Sequence, residues 1–526
     1  TMLWEFVRRL LGIETENDRW YRQMDNATSY EEWLEAATKL DEIEGHNKWK
    51  ADPRSPYFDS TFIQERLDEM IRLEREGDVP SIMFNLQSVL VRGLGGTSHP
   101  ELHAHAYVGT KKLIETHNAQ VLRLLQVICD APESELPIEK KLSFFAETRH
   151  ALGKTALLLS GGASLGMYHF GVIKALHEQG LLPRVISGSS AGSIITALIG
   201  VRTADELNEL FVPGTLDLTF FPSGGSFQRK IKRLFFEGHL MEAKVLQRAL
   251  QKNLGDVTFH EAYERTGRII NITVSPANEF ERPRLLNYLT APNVLLWSAA
   301  CASCAFPILF KPHELVCKDK DGNITAYHIT DVKWKDGSIT ADLPTTRLSE
   351  LFNVNHFIVS QTNPHAIPFM SKPRLLRKSR EHAAAERPSW TRRCWWVASM
   401  LLQTELAHRF RQAIHLGLVP KVLEVTVFQQ LGGDITIVPP FSWSVYSWLI
   451  SNPTLAYVEN CTVEAQQCTW PNIARIRSQC EVEIMLDQSA RRLAKDVQER
   501  SAGPSSCPIS ASNAAIGVNI PPPASK

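Results

Sequence analysis

Ser190 lies in Gly188-Ser189-Ser190-Ala191-Gly192, a G-x-S-x-G pattern. In that pattern a serine hydroxyl sits at the tip of a sharp strand-to-helix turn. Such a hydroxyl can attack an ester carbonyl once a base takes its proton. Val185 and Ile186 read as the end of a buried strand, and Ile194, Ile195, Ala197, Leu198 and Ile199 as a helix start. Gly188 and Gly192 leave room for the turn, and the helix N-terminus favours developing negative charge. Taken alone, the pentapeptide reads equally well as a Gly/Ser loop without chemistry.

Two other stretches bear on the same chemistry. Ser160-Gly161-Gly162-Ala163-Ser164-Leu165-Gly166 joins an apolar run to a helical pattern. It lacks the Lys-Ser/Thr ending of a phosphate-binding P-loop and the glycine spacing of a dinucleotide fingerprint. Gly161 and Gly162 do let a substrate carbonyl approach the main chain, where N–H groups hold an oxyanion. For the base, Asp336-Gly337 is either an ordinary turn or a proton acceptor, with Asp331 and Asp342 as neighbours that compete for the role. An aspartate has a low intrinsic pKa and must lie close to the hydroxyl to serve. A triad in the order Ser, Asp, His would instead end on His356 or His365.

Elements that could position these groups are visible in the periodicity. TALLLS, RVIS, RIINITVS and NHFIVSQ are short apolar runs typical of strands covered on both faces. MYHFGVIKALHEQG between the first two has helical period. Strands alternating with helices predict an α/β layer with a mostly parallel sheet. From about residue 15 to 148 the apolar spacing is helical instead, as in SYEEWLEAATKLDEIEG and STFIQERLDEMIRLEREG. Ser29 and Glu32 predict a capping box, and a glycine ends each of these stretches.

Composition narrows the function classes. At 526 residues and 44% hydrophobic, the chain can bury more than one core and is not mostly disordered. Lys and Arg balance Asp and Glu at 57 each, so no global charge recruits nucleic acid. Nine cysteines without paired spacing fit a reducing compartment, and the sequons at Asn26 and Asn271 then read as chance matches. Cys301 and Cys304 form a C-x-x-C inside the small apolar run SAACASCAFP, which reads as buried side chains rather than a zinc or redox site.

Membrane contact is written in three places. TMLWEFVRRLLG has no signal-peptide shape, but Leu3, Trp4, Val7, Leu10 and Leu11 share a helical face that fits a lipid surface or the protein's own body. Residues 372–393 are basic and lead into Trp390, Trp395 and Trp396, a solvated loop or a grip on an anionic membrane. Leu285–Phe310 and Ile435–Val458 are long uncharged runs. Prolines and asparagines make the first a buried strand, turn and helix. In the second, Trp443, Tyr446, Trp448 and Tyr457 suit an interface rather than a span.

GGASLG, GSSAG and DGS in this order resemble the patatin-like phospholipases over about residues 155 to 346. Three further segments, MDNATSYEEWLEAATKLDEIEG, LSELFNVNHFIVSQTNPH and TWPNIARIRSQCEVE, resemble the storage-lipid triacylglycerol lipases of fungi and plants. The resemblance implies a patatin-like α/β core at 152–348, after a helical N-terminal domain at 1–148. A mixed extension at 349–498 carries the basic tryptophan segment, and a disordered tail covers 499–526. It implies Ser190 as nucleophile in a Ser–Asp dyad with Asp336, and Gly161, Gly162, Ala163 and Gly166 as the oxyanion loop. Gly188 and Gly192 form the nucleophile elbow, and neither metal nor organic cofactor is required.

The implied substrate is triacylglycerol or phospholipid. The implied place of work is a lipid droplet or endoplasmic reticulum membrane surface on the cytoplasmic side. The loop departs from the family: Ala163 replaces a glycine and Leu165 a basic residue, which weakens the case for anionic headgroups. Ser338 replaces the usual Gly or Ala. Some relatives link acyl transfer to a histidine and an aspartate separated by four residues; here Asp52 falls one residue too far from His46. The alternatives are a phospholipase or lysophospholipid transacylase using the same serine, or a catalytically inactive lipid-surface scaffold.

Overall fold

The computed structural model describes residues 16–212, 214–220, 243–276, 283–306, 310–327, 334–336, 343–364, 366–367, 432–440 and 451–501, with Glu405, Arg409, Gln412 and Leu449. They form two compact units interleaved in sequence. One holds the described residues of Thr1–Met24, Leu34–Lys154 and Ala474–Lys526, the other those of Asp25–Trp33 and Thr155–Ile473.

The first unit is helical, as the periodicity predicts. In the helix Ser60–Glu76, Ile63, Leu67, Met70 and Leu73 recur at three- and four-residue steps and are buried. Asp59 caps its start by accepting from the Phe62 N–H, and Gly77 ends it in the left-handed region at φ 71°. This apolar face meets Val121, Leu124 and Ile128 of the helix Lys112–Asp130 and Phe144 and Phe145 of Ile138–Leu152. Leu486 and Leu493, from the last part of the long helix Leu455–Ser501, complete that core. The predicted capping box is half formed. The Glu32 N–H bonds to Ser29 Oγ, but the Glu32 carboxylate accepts from the N–H and hydroxyl of Thr28, one residue earlier than expected.

The second unit is built on a mostly parallel sheet flanked by helices. Its strands are β1 (Lys154–Leu159), β2 (Val185–Gly188), β3 (Ile269–Pro276), β4 (Arg284–Leu286), β7 (Trp334–Asp336), β8 (Val354–Ser360) and β9 (Ile435–Ile437). A separate hairpin is formed by β5 (Val316–Lys318) and β6 (Ile324–Ala326). The sheet order is β4-β3-β2-β1-β8-β9, with β7 also on β3. β1, β2 and β3 run parallel, as do β8 and β9, whereas β4 and β7 run antiparallel to β3. All eight residues of β3 are buried, including the polar Asn271, Thr273 and Ser275 that alternate with Ile270, Ile272 and Val274. The helix Ala191–Gly200 is likewise buried at every position.

The two long uncharged runs separate here. Leu285–Phe310 is the end of β4, a turn and the helix Leu296–Ser303. Ile435–Val458 begins as β9 and ends as the first turn of Leu455–Ser501. Among the described residues, no helix is long and apolar enough to cross a membrane. Residues 499–501, expected to begin a disordered tail, instead end the helix Leu455–Ser501. The N-terminal face at Leu3 to Leu11, the basic segment 372–396, Trp443, Tyr446 and Trp448, and the rest of the tail lie outside the described residues.

His46 has a structural partner. The fully buried Asp41 carboxylate takes His46 Nδ1 at 2.9 Å, Lys50 Nζ at 2.7 Å, and the N–H groups of Tyr107 and Val108 at 2.9 and 3.1 Å. Burial alone would raise the Asp41 pKa, but these donors outweigh it and hold the carboxyl below its ordinary value. A depressed folded-state pKa adds stability above the unfolded value, about 3.9, which is lost as pH falls through the folded value. Asp41→Asn is therefore expected to cost about 2 to 3 kcal/mol at neutral pH. Urea unfolding of wild type and variant should converge below pH 4.

Candidate active site

Ser190 forms the N-cap of the helix Ala191–Gly200, with φ 51° and ψ −127°. A non-glycine residue in that region carries about 1–3 kcal/mol of strain, so the surroundings must hold it. They do so through backbone contacts on every side. The Ser189 N–H reaches the Leu159 carbonyl at 3.2 Å, and the Gly192 N–H reaches the Ser189 carbonyl at 3.0 Å. Ser193 Oγ donates to the Ser190 carbonyl at 2.6 Å. Both elbow glycines are required by space: a Cβ on Gly188 would lie 2.3 Å from the Gly192 oxygen, and one on Gly192 would lie 2.2 Å from the Leu159 oxygen.

A third element fixes the Ser190 amide. Ser303 Oγ, fully buried in the helix Leu296–Ser303, accepts from the Ser190 N–H at 2.9 Å and donates to the Thr273 carbonyl at 2.7 Å. One hydroxyl therefore ties the elbow to β3. SAACASCAFP reads in sequence as buried small side chains, and Ser298 to Ala305 are buried, whereas Phe306 is exposed. Nothing in its pattern marks Ser303 as a strut, because a serine among alanines has no period of its own.

The position of Asp336 is set by strand register. β2 pairs with β3 as far as Gly188 opposite Ile272, and β3 continues to Pro276. Val274 faces Arg284 of β4 across one edge and Asp336 of β7 across the other. A strand has only two edges, so β7 takes the edge that β2 vacates. Asp336 thus lies opposite Val274, two positions past Ile272, while Ser190 follows the end of β2 at Gly188 by two residues. The segment Ser303 to Ala305 touches both. Ser303 holds Ser190, Cys304 Sγ lies 3.9 Å from Ser193 Oγ, and the Ala305 carbonyl accepts the Asp336 N–H at 3.0 Å. Asp336 is fully buried. Burial, then the Asp336 charge, raises the Cys304 thiol well above its usual pKa.

The glycine loop packs against the elbow. After β1 it forms a short 3-10 turn, Ala163–Met167, leading into the helix Tyr168–Glu178. A Cβ on Gly166 would lie 2.6 Å from Ala191 Cβ, so Gly166 is the contact that seats the loop on the residue after Ser190. A Cβ on Gly162 would lie 2.5 Å from the Thr362 carbonyl. Gly161 and Gly162 are buried, and Ala163 adopts φ 49°. Leu165 is fully buried, an environment for an apolar chain rather than a cation.

The competing bases separate by position. His356 bonds Thr155 Oγ1 at 3.2 Å near the start of β1, whereas the elbow follows the other end of the sheet. Four residues at about 3.3 Å each place it about 13 Å back along β8 from Ser360. Asp331, Asp342, His365, Gly337 and Ser338 lie outside the described residues. Cys301 and Cys304 are buried free thiols, and burial raises both. Among the described residues no group of three His, Cys, Asp or Glu side chains could hold a metal ion.

The patatin-like phospholipase family matches over residues 157–348, and a domain of unknown function, DUF3336, over residues 10–150. Triacylglycerol lipase ptl3 of Schizosaccharomyces pombe is 37% identical over 90% of this chain and 97% of its own. The chain belongs to the patatin-like phospholipase family. Triacylglycerol lipase SDP1L of Arabidopsis thaliana is 39% identical over 92% of this chain, which spans 60% of that relative's length. Among solved structures, VipD from Legionella pneumophila overlays with a TM-score of 0.34 at 14% identity, covering 62% of this chain and 67% of its own. So loose an overlay adds nothing to the family assignment.

Gly192→Ala drives a methyl into the Leu159 carbonyl, so the elbow must shift. A cost of about 2 kcal/mol is expected from this overpacking. Differential scanning fluorimetry should report a lower Tm, and ester hydrolysis should fall along with it.

Proposed function

We propose that the chain is a serine acyl hydrolase that cleaves the fatty-acyl esters of triacylglycerol at a lipid surface. The single observation that supports this reading is β7 on the β3 edge vacated by β2, from which we assign Asp336 as the base of Ser190. In the proposed mechanism the Ser190 hydroxyl oxygen attacks the ester carbonyl carbon while Asp336 takes its proton. The main-chain N–H groups of Gly161 and Gly162 hold the resulting oxyanion, with Ala163 and Gly166 shaping the loop. The tetrahedral intermediate collapses, the C–O bond breaks, and the diacylglycerol alkoxide leaves with the proton returned by Asp336. Water then attacks the acyl-enzyme, gives its proton to Asp336, and releases the fatty acid as Ser190 is reprotonated.

The names of the two relatives support triacylglycerol as substrate. The buried Leu165 disfavours anionic phospholipid headgroups. Phe306, next to Ala305 and 40% exposed, offers an apolar contact beside the site. We place the enzyme on a lipid droplet or the cytoplasmic side of the endoplasmic reticulum membrane, held by the basic tryptophan segment 372–396 and the N-terminal apolar face.

Purified wild type and variants on triacylglycerol, diacylglycerol and phosphatidylcholine emulsions test the chemistry. Ser190→Ala and Asp336→Asn are each expected to lower kcat by roughly a thousandfold or more, and His356→Ala to retain it. Loss with His356→Ala and not with Asp336→Asn would replace the dyad by a triad. Faster turnover of phosphatidylcholine would make the enzyme a phospholipase.

Deleting residues 372–396 is expected to reduce flotation with artificial lipid droplets while leaving hydrolysis of a soluble short-chain ester intact. Equal flotation of the deletion would remove that segment from the lipid contact.

A further inference from the structure

Behind the glycine loop lies a buried polar set that the mechanism does not use. His169, on the helix Tyr168–Glu178, is fully buried. Its Nε2 lies 2.9 Å from the Ser160 carbonyl oxygen and its Nδ1 2.7 Å from Ser360 Oγ. A carbonyl oxygen only accepts, so Nε2 carries the proton and Nδ1 accepts from the Ser360 hydroxyl. Burial keeps the ring neutral, its pKa pushed down to about 4. Thr362, just beyond β8, donates Oγ1–H to the Gly161 carbonyl at 3.0 Å and its N–H to Ser160 Oγ at 2.7 Å. Ser160 Oγ adds a second bond to the Gly161 carbonyl at 3.1 Å. All four side chains are at most 1% exposed.

The consequence follows from peptide geometry. In a trans peptide the C=O and the N–H of the next residue point in opposite directions. Pinning the Ser160 carbonyl to His169 turns the Gly161 N–H away from that ring. Pinning the Gly161 carbonyl to Thr362 likewise turns the Gly162 N–H away from β8. Neither N–H is donated to any described residue. The absence of a Cβ on Gly162 is what lets Thr362 come this close.

We infer that His169 and Thr362 are positioning residues that aim the Gly161 and Gly162 N–H groups at the oxyanion by anchoring the carbonyls of Ser160 and Gly161. The inference rests on the reading of Ser190 as nucleophile and of this loop as its oxyanion site. His169 moves no proton. Its neutral imidazole is a fixed donor, so its loss would mimic the loss of a catalytic histidine for a different reason.

The test uses the full chain and four variants: His169→Leu, Thr362→Val, and the conservative His169→Gln and Thr362→Ser. Each is assayed for kcat and KM on a triacylglycerol emulsion, for its pH profile, and for inhibition by an alkyl trifluoromethyl ketone, whose serine adduct carries an oxyanion. His169→Leu and Thr362→Val are expected to lower kcat roughly tenfold to a hundredfold, with KM within about twofold. Ketone affinity should fall by the same factor. His169→Gln, whose amide reaches the place of Nε2, and Thr362→Ser should recover most of the loss, and His169→Gln should keep the wild-type pH profile.

A kcat loss without a matching loss of ketone affinity would reduce these residues to packing and overturn the inference. So would a full kcat in the folded fraction of Thr362→Val, which keeps the shape of threonine and carries the test alone if His169→Leu does not fold. A pH profile altered by His169→Gln would make the ring a proton carrier and also overturn it. Activity surviving in Ser190→Ala would instead bring down the nucleophile assignment, with wild-type response to His169 and Thr362 variants still measured separately.

Discussion

The site depends on a mismatch of strand lengths. β2 stops at Gly188 opposite Ile272, while β3 runs on to Pro276. An unfilled strand edge leaves backbone donors and acceptors without partners, which is costly inside a protein. β7 resolves this by pairing Val274, Ser275 and Pro276 with Asp336, Lys335 and Trp334. The same pairing sets Asp336 opposite Val274, at the β3 edge just beyond the end of β2. A longer β2 would have closed the edge and left Asp336 with no route to it. In the proposed dyad, sheet completion and placement of the base are therefore one event.

Strain is then concentrated where that event occurs. Ser190 and Ala163 are two of the three non-glycine residues with positive φ among the described residues, and they sit on the elbow and the glycine loop. Each holds its conformation because neighbours on both sides are anchored. The Ser190 amide is tied to Ser303, and its carbonyl receives Ser193. Gly162, just before Ala163, abuts Thr362, and Gly166 abuts Ala191. Loop and elbow thus press on each other, and loosening either releases the strain in both.

Much of this was readable in the amino-acid order. The apolar runs that give β1 and β2 are continuous because both faces are buried, and the elbow glycines stand where a Cβ has no room. The stretch Leu285–Phe310 also resolves correctly once its prolines are weighed. What sequence reading missed shares a cause. β7 is three residues long and earns its place by pairing, not by pattern. Ser303 hides in a small apolar run, and His169 falls on the core face of a helix where an imidazole looks like packing. Thr362 and Ser360 act on residues about 200 positions earlier, and no local period encodes such a meeting. The Ser29–Glu32 box forms only by half because the Glu32 carboxylate takes the N–H and hydroxyl of Thr28 instead of the Ser29 N–H.

The proposed dyad also explains why the loop is so heavily anchored. A histidine base has a pKa near the working pH, whereas an aspartate is a much weaker acceptor for a serine proton. With less help from proton transfer, more of the barrier must fall to charges placed ahead of time on the developing oxyanion. Such donors act only if their direction does not relax, since reorientation would consume the stabilisation they provide. Flexible glycines are poor at holding direction by themselves. The four side chains behind the loop supply that rigidity from outside, leaving the glycines bare where substrate must approach. The conformational freedom of Gly161 and Gly162 is thus the property that, in the proposed mechanism, requires His169, Ser360, Ser160 and Thr362 to be buried and mutually bonded.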